Sequence, residues 1–311
     1  MLDKGLIPPA INTDFWKELL MLRKKAFTLI ELLVVIAIIA LLMAILMPAL
    51  RRVRNQTREV LCRANLKQWG MSLNLYTEDH DGYLPGNMVG RESIWLIRGW
   101  SVTDDKLDEP RILNPIDMEK LACCPMAVKP GSKEFTSTSS RSSASGSVSV
   151  NMVGTVGSTF EAWQIIRPGP SFRSSYGFNQ WLFEDRFDAF NTFAPRHYGY
   201  IHEAGLNVFQ LRGRAKIPAL LDCAYPWAQP EERDRPPRIE GIGSGISRFC
   251  IDRHDGHING LFLDWSVRKI GLKELWTLKW SMQFNTANEW TKAGGVQPEN
   301  WPQWMRNFKD Y

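Results

Sequence analysis

From Phe27 to Leu50 the chain is apolar at almost every position, with one ionisable residue, Glu31, and one helix breaker, Pro48. Such a run, at ~1.5 Å per residue, reaches about 36 Å as a helix and is enough to cross a ~30 Å hydrocarbon core. It is too long for the apolar stretch of an ordinary signal peptide, and no small-residue cleavage site follows it. Beyond Pro48 the pattern changes period. Cys62, Leu66, Trp69, Leu73 and Tyr76 recur at steps of four and three, while Arg63, Lys67, Gln68 and Asn74 fill the other side. That is one face of an amphipathic helix, read as core packing. Asp79-His80-Asp81-Gly82 followed by Pro85 is a stop signal, with Gly82 suited to a left-handed cap. One long helix is therefore expected from about Thr28 to about His80.

The remaining 81–311 is ample for one core. Its short apolar runs, aromatic residues and many prolines and glycines predict an α+β or mostly β head with long loops. Residues 132–158 are dominated by Ser, Thr and Gly and read as a flexible surface loop. Strand signals cluster late, at Ile217–Cys223 and Ile246–Asp252. Gly260–Leu263 and Ser266–Ile270 read as a hairpin closed by Asp264-Trp265. That turn is atypical, because the two-residue hairpin prefers Asp-Gly or Asn-Gly and Trp265 does not easily take positive φ. The stretch Leu272–Trp280 has the spacing of a short helix. The tail from Leu272 holds five of the thirteen tryptophans, read as bulk that staples irregular chain onto the head; sugar stacking is the lesser reading.

Charge changes the picture little. The net charge is +5, with no basic face interleaved with aromatics, so nucleic acid is not an expected partner. Arg23, Lys24 and Lys25 before the apolar run are balanced by Arg51, Arg52, Arg54 and Arg58 after it, and the positive-inside rule does not settle orientation. There is no Gly-x-Ser-x-Gly elbow, phosphate loop or His-Glu-x-x-His, and no enzymatic activity is expected. Gly241–Gly245 is glycine-rich but reads as a loop.

Glu31 is the residue that asks for an explanation, because a carboxylate in a membrane span costs a few kcal/mol and needs a partner. A cut between Ala26 and Phe27 would place it fifth in the mature chain, with the new Phe27 amine as its counter-charge in the same chain or a neighbour. The cut would also lower the net charge to about +3, since residues 1–26 carry five Lys/Arg and three Asp/Glu.

The segment Lys24-Lys25-Ala26-Phe27-Thr28-Leu29-Ile30-Glu31-Leu32-Leu33-Val34-Val35-Ile36-Ala37 resembles the cleavage and methylation segment of type IV prepilins and type II secretion pseudopilins. The resemblance implies a leader, 1–26; a transmembrane methylation segment, 27–50; an amphipathic continuation, 51–80; and a head, 81–311, carrying the 132–158 loop. It implies cleavage by a prepilin peptidase before Phe27 and N-methylation there. It assigns Glu31 to subunit registration and places Pro48 where many pilin helices are kinked or locally melted. Ala26 stands where most such chains have Gly. Expected partners are that peptidase, other pilin or pseudopilin subunits, an inner-membrane assembly platform and the lipid bilayer. The head would lie outside the cytoplasm on a single-pass inner-membrane anchor. The filament would be a secretion pseudopilus or pilus-like fibre; the alternative is a membrane-tethered protein binding a polysaccharide or secreted substrate.

The head carries a second resemblance. His254 and Asp264 are separated by nine intervening residues, as in the H-X9-DG segment of prepilin-type processing-associated proteins abundant in planctomycetes, with Trp265 in place of the glycine. Ser174-Ser175-Tyr176-Gly177-Phe178-Asn179 is similar to the Ser-Tyr-Gly-Asn block of those heads. His254, His257, Asp222, Asp252, Asp255 and Asp264 are the candidate metal ligands, and their spacing fits neither a zinc motif nor a calcium loop. The related pseudopilins use calcium, for which Asp252, Asp255 and Asp264 would be the oxygens here. The favoured reading makes His254 a hydrogen-bonded anchor of the hairpin. Cys123-Cys124-Pro125 resembles the Cys-Pro element of related heads, and a Cys62–Cys124 bridge would tie a loop to the long helix. Cys223 and Cys250 would pair if their strands adjoin, leaving Cys123 over.

Overall fold

The computed structural model describes residues 28–84, 121–143, 146–167, 171–182 and 207–311. The leader and the Ala26–Phe27 bond lie outside these residues. The chain divides into two compact units, 1–53 and 54–311.

Helix α1 runs Leu29–Asp79 and passes through Pro48 without a melted turn. Its side chains from Leu29 to Val53 are exposed, Leu29 by 78% and Leu41 by 64%, so this stretch has no protein core of its own. It is long and apolar enough to span a membrane. In the second unit the face changes character. Cys62, Leu66, Trp69, Leu73 and Thr77 are buried, as the steps of four and three require. Tyr76, expected on that stripe, instead stacks on His80 with ring centroids 3.7 Å apart. The helix stops where the sequence says. Asp81 and Gly82 take positive φ, 52° and 85°, and the Gly82 amide donates to the Thr77 carbonyl at 2.7 Å, capping an end carbonyl.

The second unit is α+β, with two five-stranded sheets. The first comprises β1 (Lys129–Pro130), β2 (Lys133–Ser143), β3 (Gly146–Val156), β4 (Glu161–Arg167) and β5 (Phe172–Ser174), in the order β1-β4-β3-β2 with β5 also on β4. The second comprises β6 (Tyr176–Asn179), β7 (Pro218–Asp222), β8 (Trp227–Ala228), β9 (His257–Phe262) and β10 (Val267–Gly271), in the order β10-β9-β7-β6-β8.

Two expectations are corrected. Residues 132–158, read as a loop, contain the β2–β3 hairpin, paired from Lys133↔Val156 to Ser143↔Gly146. Val153, Thr155 and Val156 are β-branched, and Met152 is buried in the core, so the strand preference is supplied by few residues and completed by pairing. The predicted strand at 246–252 is instead a short 3-10 turn, Gly245–Arg248. Its start is fixed by the Asp234 carboxylate, which accepts from the Ile246 amide at 2.8 Å. The Phe249 amide then donates back to Ile246 at 3.0 Å, using locally the donors a sheet would need.

Alternation along the second sheet sorts residues between two core clusters, as the two-residue period of a strand dictates. Leu261 and Leu263 join α1 residues Cys62, Leu66, Trp69 and Leu73. Ile258 and Phe262 join Phe249, Trp276, Trp280 and Trp301. The helix approaches the sheet closely at Gly70, where a Cβ would stand 2.6 Å from Leu261 Cδ1. The tail packs the second cluster, with Trp276 and Trp301 edge to face at 5.3 Å and Phe249 stacked on Trp280 at 5.0 Å. Leu272–Thr277 forms a 3-10 helix where a short helix was expected.

The β9–β10 hairpin explains the Asp264-Trp265 turn. The Trp265 amide donates to Phe262 and the Phe262 amide to Ser266, both at 2.9 Å. The loop therefore has three residues, Leu263, Asp264 and Trp265, and Trp265 takes the left-handed position at φ 62°. A three-residue loop ends in this way with a residue that is usually Gly. Asp264 is exposed and accepts from the Ser266 amide at 3.0 Å. Its role is to shape the turn.

Candidate functional site

Two sites draw on α1, one at its first residues and one at Cys62 in its second half. Thr28 precedes the first helical residue, and its hydroxyl accepts the Glu31 amide at 3.2 Å. The Glu31 carboxylate reaches back to the Thr28 amide and hydroxyl, both at 2.9 Å. This is a reciprocal capping box, with Thr at the cap and Glu three residues on. The Thr28-x-x-Glu31 spacing was legible in the sequence but was not read as a cap. The carboxylate thus has partners of its own at the start of the helix, one residue from Phe27.

The second site is buried in the head. Four donor groups meet there from four parts of the chain: Cys62 on α1, Cys124 before β1, Asp222 at the end of β7 and His254 before β9. Their ligand atoms all lie within 4.8 Å of one another. His254 Nε2 is 3.2 Å from Asp222 Oδ2 and 3.5 Å from Cys124 Sγ. Cys62 Sγ is 3.6 and 3.7 Å from the two Asp222 oxygens.

Local structure sets these groups in place. Asp255 and Gly256 both have positive φ, and the His254 amide donates to the His257 carbonyl at 3.0 Å. That Asp-Gly turn starts β9 and separates the buried His254 from the half-buried His257. The Ser174-Ser175-Tyr176 block holds Cys124. The Cys124 amide donates to Ser175 Oγ at 2.6 Å, and Ser174 Oγ donates to Ala122 at 2.6 Å. The Tyr176 hydroxyl donates to Cys62 Sγ at 3.4 Å.

Arg253 closes the site. Its guanidinium donates to Asp222 Oδ1 at 2.8 Å and to the carbonyls of Ser175, Thr159 and Ser158 at 2.7, 2.8 and 2.9 Å. The Asn259 amide donates to Asp222 Oδ2 at 2.8 Å. Burial would raise the Asp222 carboxyl, but the Arg253 charge and the His254 contact hold it at about 2. Burial pulls His254 down, and the Asp222 hydrogen bond and charge outweigh it, raising the imidazole to about 9. Burial pushes the Cys62 thiol well up. Cys124 feels the same penalty but is brought down to about 6 by hydrogen bonds with Cys62 and then His254. Arg253 and Asp222 form a fully buried ion pair.

The structure therefore regroups the expected residues. His254 is a buried anchor, but its partner is Asp222, on the strand beside the hairpin, and Asp264 is not in the site. Asp252, Asp255 and Asp264, the oxygens suggested for calcium, form no ligand group; among the described residues the metal-competent group is Cys62, Cys124, Asp222 and His254. Cys62 and Cys124 do meet, as thiols. Cys223 and Cys250 do not pair. Cys223 Sγ donates to Arg248 at 3.2 Å and Cys250 Sγ lies 3.8 Å from Met305 Sδ, because 250 is not on a strand beside 223. The role of Arg253 escaped the sequence reading; its only signal was its place beside His254.

Residues 21–47 match the prokaryotic N-terminal methylation motif. The match covers the basic flank, the Ala26–Phe27 junction and Glu31, and defines a type IV pilin-like N-terminus. Such a motif implies processing by a prepilin peptidase and assembly with other pilin subunits, and with the apolar half of α1 it fits a single-pass membrane anchor. No curated protein and no solved structure is similar enough to the chain to match.

Proposed function

We propose that this chain is a pseudopilin- or pilin-like structural subunit, stored in the inner membrane as a precursor with its head outside the cytoplasm. A prepilin peptidase cuts between Ala26 and Phe27 and methylates the new amine. The subunit then assembles through α1 into a secretion pseudopilus or pilus-like fibre, with Glu31 meeting the amine of Phe27 on a neighbour. Its work is mechanical, and it is not an enzyme. The H-X9-DG likeness of the head is part of the same proposal.

The observation that carries the reading is the methylation motif at residues 21–47, placed at the start of a helix whose first half is apolar and exposed. A helix of this kind needs a bilayer or other helices to cover it. Ala26 is small enough for a peptidase pocket that usually meets Gly.

The test is intact mass and N-terminal sequencing of the membrane-extracted protein, from cells with and without a prepilin peptidase. A chain starting at methylated Phe27 only when the peptidase is present supports the proposal. A chain still carrying residues 1–26 in both cells would overturn it and leave the N-terminus a plain anchor.

A further inference from the structure

We propose that Cys62, Cys124, His254 and Asp222 form a tetrahedral zinc site that clamps the amphipathic half of α1 to the sheet of the head. The distances carry the argument. Zinc bonds of ~2.3 Å to sulfur and ~2.0–2.1 Å to nitrogen or oxygen give tetrahedral edges of about 3.3 Å between nitrogen and oxygen and about 3.5 Å from sulfur to either. Three of the six edges are 3.2 Å from His254 Nε2 to Asp222 Oδ2, 3.5 Å from Cys124 Sγ to His254 Nε2 and 3.7 Å from Cys62 Sγ to Asp222 Oδ2, and the other three lie within 4.8 Å. The donors already stand nearly where a zinc ion would hold them.

The donor set selects the metal class. Two sulfurs, one imidazole nitrogen and one carboxylate oxygen suit zinc, whereas calcium takes six to eight oxygens. All four groups are buried, as in a closed structural site with no open position for substrate.

The surroundings match as well. With Oδ2 on the metal, Asp222 keeps Oδ1 for Arg253 at 2.8 Å, an outer contact that orients a ligating carboxylate. On binding, both thiols release their protons to solvent, and His254 Nε2 gives up any proton it holds and donates its lone pair. Two thiolates, one carboxylate, the dication and Arg253 then sum to zero charge, which a site closed to water requires. The ligands come from four separate parts of the chain, so the ion would be acquired as the head folds.

Elemental analysis of the full-length protein, extracted from membranes in detergent without added chelator or reductant, tests this directly. The expected result is equimolar zinc. Replacement by cobalt should give thiolate-to-cobalt charge-transfer and tetrahedral d–d absorption. Cys124→Ser should lower zinc retention by more than about tenfold, while Cys223→Ser, outside the site, should leave it unchanged. If Cys124→Ser fails to fold, the wild-type zinc content and cobalt spectrum still decide. Alkylation and intact mass identify the two results that overturn the proposal. One is a zinc-free chain with both thiols free. The other is a zinc-free chain lighter by two hydrogens, in which Cys62 and Cys124 are joined as a disulfide.

Discussion

Lys67 Nζ donates to the carbonyl oxygen of Trp265 at 2.9 Å, tying α1 to the one residue of the β9–β10 loop held at positive φ. An L-residue there bears about 1–2 kcal/mol of backbone strain that glycine does not. The Trp265 ring offsets this by packing against the first core cluster. Trp265→Gly and Trp265→Ala both lose the ring, but only the glycine variant loses the strain. Trp265→Gly should therefore be the more stable of the two by about 1 kcal/mol. Denaturant midpoints of the two variants check this, and equal midpoints would show that the loop relaxes around alanine.

The buried ion pair gives a second prediction. Removing Arg253 leaves the Asp222 carboxylate buried, with the four guanidinium bonds gone. Arg253→Met should cost about 3–5 kcal/mol, as for other broken buried pairs. In the metal-free protein, Arg253→Met with Asp222→Leu should be less damaging than Arg253→Met alone, because the carboxylate is then not stranded and His254, without it, sits neutral. A double-mutant cycle measured by chemical unfolding reads the coupling.

These two contacts show what a sequence can and cannot disclose. The period of α1 placed Cys62, Leu66, Trp69 and Leu73 correctly, because helical burial is written locally at steps of three and four. The end of the helix was legible for the same reason, in Asp81-Gly82. The β2–β3 hairpin was not, because its residues become strands by pairing Thr136 with Val153 and Phe135 with Gly154, and composition does not record who pairs with whom. The four-donor site was half legible. Cys62 and Cys124 were linked by one line of reasoning and Asp222 and His254 grouped as ligands by another. What joins the pairs is a contact between residues 160 apart. The Trp265 loop was read as two residues because only the bond from Trp265 to Phe262 reveals a third.

Gly177, in the Ser-Tyr-Gly-Phe-Asn block, gives a third prediction. A Cβ there would stand 2.4 Å from the Tyr225 carbonyl oxygen and 2.7 Å from Cys223 Sγ. Both are fixed by sheet bonds, including Phe178 amide to Pro226 at 2.9 Å and Cys223 amide to Ser175 at 2.9 Å. Gly177→Ala should destabilise the head by about 1–3 kcal/mol through overpacking. Cys223→Ala combined with it should recover little, since the carbonyl clash remains. Thermal unfolding of the single and double variants measures both.

The tail supplies a fourth. Lys273 is buried, donates to Asp310 at 2.8 Å and to the Arg306 carbonyl at 3.3 Å, and lies 4.9 Å from the Trp301 ring centre. Asp310→Ala keeps the buried ammonium and removes its carboxylate, an asymmetric loss worth about 1–3 kcal/mol. Lys273→Met removes the charge and keeps the apolar stem against Trp301. It should therefore cost less than Asp310→Ala, and the reverse order in unfolding experiments would mean that the ion pair contributes little.

Glu31 permits a separation of two roles that its position combines. Its carboxylate caps α1 by accepting from Thr28, and under the proposed function it also meets the Phe27 amine of a neighbour. Capping tolerates Gln as well as Glu, because either side chain accepts the amide hydrogen bond. A charge pair with an amine does not. Glu31→Gln should therefore keep the helix start and membrane insertion while assembly into a fibre is lost. Glu31→Ala should lose assembly and also weaken the cap by about 1 kcal/mol. Shearing of surface fibres reads assembly, and amide hydrogen exchange at Thr28 and Glu31 in detergent reads the cap. If Glu31→Gln assembles like the unaltered chain, the carboxylate serves the helix start alone and the amine pairing is wrong.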